Sequence, residues 1–114
     1  MDLTLITALT GVASVAAHYA DAITTYQGIY EDGQKEGNPN PIVQWLAKAP
    51  IRLLGLSPLP YVAYAALTTI YTHHDPVVTI IAGAINIVSA VIGAEAAYHN
   101  YTINKAASAK KQGK

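Results

Sequence analysis

The residues best suited to chemistry sit in two short stretches. In HYADAITTY, His18 and Asp21 are three residues apart and Asp21 and Thr25 four apart, so one helical face carries all three. In GAEAAYHNY, Glu95 and His99 share a face at a spacing of four. Carboxylate and imidazole at such spacings on two facing helices is how helical bundles chelate a divalent metal ion, with His18, Asp21, Glu95 and His99 as the donor set. The same groups inside a membrane can relay protons, with Glu36 as an acid or base. The competing reading is structural: Asp21 and Glu95 pair with His, Thr, Asn or Lys and tie helices together. That reading takes precedence, because packing networks also gather titratable groups and charges near a membrane surface cost little.

The elements that must position these residues are apolar. Of 114 residues, 52% are hydrophobic and 12% charged, about half the charged share of soluble domains. Leu3 to Ala17 contains nothing more polar than Thr and Ser. A span needs about 20 mostly apolar residues, and the stretch at about 3–28 meets this. Asp2 is its expected cap, and the start lacks the basic region of a signal peptide, so the run is expected to be retained. Gly, Asn and Pro in EDGQKEGNPNP (Glu31 to Pro41) then stop the helix. Asn40-Pro41, Ser57-Pro58 and Asp75-Pro76 each pair a capping residue with proline at the first helical position. They predict helices over about 41–56, 58–73 and 76–100. The last has the strongest spanning signal, Val77 to Ala94 being interrupted only by Thr79, Asn86 and Ser89.

The segment at 41–56 reads differently. Gln44, Lys48 and Arg52 recur every four residues and form one polar stripe. Burying that lysine and arginine mid-span would cost roughly 5–7 kcal/mol. With Pro50 as a kink and Trp45 as an anchor, the segment is expected to be an interfacial or re-entrant helix. The expected fold is therefore a single all-α domain over 1–114, an integral membrane helical bundle of three transmembrane helices plus this kinked element. Three spans place all seven basic residues, Lys35, Lys48, Arg52, Lys105, Lys110, Lys111 and Lys114, on one side. The positive-inside rule makes that side cytoplasmic, with the N-terminus out and the C-terminus in.

His18, Asp21 and Thr25 then lie near the cytoplasmic end of the first helix, with Glu95 and His99 at similar depth on the third. Glu36 and Asn38 are placed to close over them. Asn86 is the strongly polar residue deep in a span, expected to hydrogen-bond across a small-residue stripe of Ala82, Ala90 and Ala94, or less simply to line a pore. A matching stripe of Ala13, Ala17, Asp21 and Thr25 suggests that these two helices face each other. His73-His74-Asp75 could hold a metal, but Asp75 before Pro76 fits a helix cap better. The basic tail at 105–114 suits attraction to anionic lipid. Zero net charge and the absence of cysteine exclude specific nucleic-acid steering, disulfides and thiolate chemistry. No phosphate loop, nucleophile elbow or zinc-protease motif is present.

Asp21-x-x-Thr24-Thr25-Tyr26, Gly28 and Glu36-x-Asn38-Pro39 together resemble the pattern of a family of small, uncharacterised prokaryotic membrane proteins. The resemblance spans Asp21 to Pro39. It implies a membrane location and a coupling of Asp21 with Glu36 and Asn38, and supplies no reaction. The topology is also similar to that of three-span phage holins. The expected function is a non-enzymatic structural or accessory component of a prokaryotic cytoplasmic or viral membrane, without cofactor. Its partners would be lipid and either itself or other membrane proteins. The alternatives are a metal- or proton-using protein and a holin-like permeabilising one.

Overall fold

The chain folds into helices joined by short connections, in a computed structural model that describes residues 3–72, 74–111 and 113. Helix α1 runs Leu3–Tyr26 and ends in a wider π-helical turn, Gln27–Glu31. Helix α2 is short, Pro41–Ala47. A second π-helical turn, Arg52–Leu56, leads into α3, Leu59–Tyr71, and α4 spans Pro76–Lys111. No strand occurs among the described residues. Three stretches are long and apolar enough to cross a membrane: Leu3–Glu31, Arg52–Tyr71 and Pro76–Lys111. The expected Asp2 cap, His73 and Lys114 lie outside the described residues.

Two of the proline-marked starts are capped as their residue types dictate. Asn40 Oδ1 accepts the amide of Ile42 at 2.9 Å, and Asp75 Oδ1 accepts those of Val77 and Val78 at 3.0 and 3.2 Å. Ser57 does not cap. It is itself helical, its hydroxyl donates to the Leu53 carbonyl, and its amide is satisfied by Arg52 at 3.1 Å. The chain therefore runs on from Arg52 into α3, and this apolar stretch starts six residues before Pro58. The helix expected over 41–56 is correspondingly divided at Lys48 and Ala49. Pro50 stands at the beginning of the following helical segment, where a missing N–H costs nothing, rather than kinking a continuous helix.

α1 is the middle of the assembly. It lies parallel to α4, with Thr10 opposite Asn86, Ser14 opposite Ser89 and Asp21 opposite Asn100. It lies antiparallel to α3, with Gly11 against Ala65 and His18 against Tyr61. α3 and α4 scarcely meet. This up-down-up order brings Lys35, Lys48, Arg52, Lys105, Lys110 and Lys111 to one end, where Lys111 Nζ reaches the Glu31 carbonyl at 3.1 Å.

The core is polar. Thr7, Ser14, His18, Thr79 and Asn86 are buried, whereas Leu5, Leu9, Val12, Ile80, Ile87 and many like them are exposed. The buried apolar side chains of the described residues are mostly alanine.

Candidate functional site

The α1–α4 contact is a heptad seam built from polar and small residues. On α1 and its terminal turn, Thr7, Ser14, Asp21 and Gly28 recur every seven residues. On α4, Thr79, Asn86, Gly93 and Asn100 do the same. A strict seven-residue period keeps the same face towards a partner only if two helices coil gently around each other, and small residues there let the backbones approach. At Gly93 that approach is tight: a Cβ would stand 3.0 Å from the Ala17 carbonyl carbon and 3.1 Å from the His18 amide.

Hydrogen bonds cross the seam in layers. Asn86, 1% exposed, donates to Thr10 Oγ1 at 3.2 Å. Ser14 donates to Ser89 Oγ at 2.9 Å, and Ser89 lies 2.8 Å from His18 Nε2. Ser89 Oγ thus bridges the Ser14 hydroxyl and the imidazole. The imidazole also stacks on Tyr61 of α3, with centroids 3.3 Å apart and planes 5° from parallel. One histidine thereby ties all three long helices.

Asn100 is the hub of the next layer. Its amide nitrogen lies 2.8 Å from Asp21 Oδ1, 3.0 Å from Thr25 Oγ1 and 3.2 Å from Thr24 Oγ1. Those hydroxyls spend their own protons on α1 carbonyls, Thr24 on Ala20 at 2.9 Å and Thr25 on Asp21 at 2.8 Å. Only their lone pairs remain, which is what an amide donor requires. Four residues further on, Asn104 donates to the Thr24 carbonyl at 2.8 Å.

The 33–40 loop folds over this end through its own side chains. The Asn38 amide donates to Glu36 Oε1 and the Asn40 amide to Asn38 Oδ1, both at 3.0 Å. Each side chain thus closes a turn on the backbone two residues ahead, and the last of them, Asn40, caps α2. Gln44 of α2 pins the loop, its Nε2 donating to the Glu36 and Asn38 carbonyls. Between loop and seam lies a cavity of about 400 Å³, walled by His18, Asp21, Glu36, Asn38, Tyr61 and Asn100 among others. A second hollow, about 590 Å³, shares Thr25, Glu36, Asn38 and Asn100 with it and extends past Lys35 and His99.

The structure thus brings His18, Asp21, Thr25, Glu36 and Asn38 around one cavity, with Asn86 further along the same seam. It does not bring Glu95 there. Glu95 is exposed, and nine residues past Asn86 it stands about half a turn round the helix. Asn100, fourteen past Asn86, returns to the seam face. His99 is exposed on the rim of the larger hollow, and the α4 residue that meets Asp21 is Asn100. The four-residue donor set is therefore not assembled, and no three His, Asp or Glu among the described residues lie close enough to hold a metal. The alanine stripes meet the seam in part: the two helices do face each other, Ala82 is buried and Ala17 lies against Gly93, but the ends of the stripes turn away. Steps of four advance about 40° beyond a full turn each time, and Ala13 and Ala94 are exposed. Trp45 and Arg52 pair with each other: the guanidinium lies 4.4 Å from the indole centroid and donates to the Trp45 carbonyl at 3.1 Å. Lys48 is exposed.

Sequence reasoning passed over Ser14, Ser89, Asn100, Asn104, Gln44 and the stacking role of Tyr61. Four were within reach: the period of seven links Ser14 to Asp21 and Asn86 to Asn100, and puts Ser89 and Asn104 three and four residues beyond them. Scans against protein-family models, curated proteins and solved structures find no match to this chain, so its function rests on the seam and the cavity alone.

Proposed function

We propose that this chain is an integral membrane protein that acts without catalysis, as a structural or accessory component working through helix–helix association. One observation carries the reading: polar side chains fill the interior while leucine, isoleucine and valine face outward. In water that distribution would leave most of the apolar surface unburied, at about 25 cal/mol per Å². In lipid it is the favourable one, since small residues and interhelical hydrogen bonds supply the packing. The three long apolar stretches are then the spans, and α2, whose exposed Trp45 carries the half-buried Arg52 guanidinium over its ring, lies at the interface. The basic end, with the 33–40 loop and the C-terminus, is cytoplasmic by the positive-inside rule.

The test is fractionation followed by solubilisation. Expressed protein is expected in the membrane pellet after an alkaline carbonate wash and in solution only with detergent. A folded, detergent-free monomer in the soluble fraction would refute the reading. For association, crosslinking in native membranes is expected to yield a defined oligomer or a defined partner adduct. A monomer at every crosslinker concentration would remove the accessory role.

A further inference from the structure

We infer that the cavity between the seam and the 33–40 loop is a binding site for an alkylammonium group. Asp21 and Glu36 both stand on its wall, and no lysine or arginine does. Asp21 receives Asn100 on Oδ1 at 2.8 Å. Among the described residues, Glu36 receives the Asn38 amide on Oε1 and no other hydrogen bond to its carboxylate. His18, 7% exposed, stands on the same wall, held by Ser89 through Nε2 and stacked on Tyr61. Two carboxylates thus share one hollow whose described wall holds no lysine or arginine, an arrangement that an N–H donor entering the hollow would stabilise.

The shape selects the donor. The carboxylates, Asn38, Thr25 and Asn100 offer oxygens to N–H donors, while Val43, Leu46, Leu53 and Ala96 make the remaining wall apolar. A bare metal ion would want three or more ligands at one point, and no such group exists among the described residues. A hollow of about 400 Å³ is instead of the size that holds small organic ligands. A primary ammonium with a short alkyl arm satisfies both halves of the wall. Its source is either a free amine or the ethanolamine headgroup of a lipid, since the site lies at the end of the apolar spans.

The inference does not depend on the accessory role, and its test does not use association. Full-length protein in mild detergent is titrated with n-butylamine at neutral pH, following the thermal midpoint by circular dichroism, with n-butanol and manganese chloride as comparisons. A saturable rise with butylamine alone is expected. Glu36→Gln keeps the oxygen that receives the Asn38 amide, removes the charge and turns the other oxygen into an NH2 donor, and should weaken the apparent affinity by about tenfold or more. Asp21→Asn should do the same, whereas Glu95→Gln on the exposed face should leave it unchanged. Nanodiscs separate the sources: if the lipid headgroup is the ligand, phosphatidylethanolamine discs raise the midpoint over phosphatidylglycerol discs and blunt the butylamine response. If free amine is the ligand, the response is equal in both. No shift with butylamine, an equal shift with butanol, a shift with manganese only, or an undiminished response in Glu36→Gln would each overturn the proposal.

Discussion

Replacing Asn100 with alanine separates the observed helix register from its nearest competitor. The Asn100 carboxamide has two N–H groups and four acceptors within reach, Asp21 Oδ1 at 2.8 Å, Thr25 Oγ1 at 3.0 Å, Thr24 Oγ1 at 3.2 Å and the Asp21 carbonyl at 3.5 Å. At most two bonds form at once, one to a carboxylate and one to a hydroxyl. A bond to a charged group contributes about 1.5–3 kcal/mol and a neutral one about 0.5–1.5 kcal/mol, with membrane values towards the lower end. Of the orphaned acceptors, Asp21 and Thr25 border the cavity and Thr24 the adjoining hollow, so they are not left fully buried. The expected loss is thus about 2 kcal/mol. It is read as the shift in unfolding free energy when helix content is followed against SDS mole fraction in mixed micelles. His99→Ala, one residue back and exposed, is expected to change stability by less than about 0.5 kcal/mol. Equal effects at the two positions, or a larger loss in Glu95→Ala than in Asn100→Ala, would refute the placement of Asn100 on the seam.

Gly93→Val sets side-chain carbon where a Cβ alone would stand 3.0–3.1 Å from the α1 backbone, with two further methyl groups to place. A loss of about 1–3 kcal/mol is expected in the same micelle titration, and wild-type stability would show that α1 and α4 are not so close. Gln44→Ala removes the donor to the Glu36 and Asn38 carbonyls, and should speed amide exchange or protease cleavage across 33–40 while leaving α1 and α4 protected. Unaltered exchange in the loop would show that its own turns hold it without α2.

Much of this architecture was legible. Apolar length located the three long helices, and the Asn40-Pro41 and Asp75-Pro76 pairs located two helix starts, because caps are local chemistry that needs only the next three residues. Ser57-Pro58 misled because the helix had already begun: the Arg52–Leu56 turn satisfies the Ser57 amide, so no cap was needed. The site was half legible. His18, Asp21 and Thr25 could be grouped because a face is well defined over two turns. Glu95 could not be excluded by spacing within GAEAAYHNY, since only its phase relative to Asn86, nine residues away, shows that it points elsewhere. Asn100 was overlooked because asparagine beside the more reactive His99 attracts no notice until the period of seven is counted from Asn86.

The parallel polar seam between α1 and α4 is the central claim, and a cysteine pair tests it most directly because the chain has no native cysteine. Ser14→Cys with Ser89→Cys replaces two hydroxyls 2.9 Å apart, close enough for a disulfide after small adjustment. Ala13→Cys with Glu95→Cys places both thiols on exposed faces. Mild oxidation in isolated membranes is expected to give a fast, intramolecular disulfide in the first pair and none in the second. Equal rates in the two pairs, or only intermolecular dimers from the first, would contradict the seam.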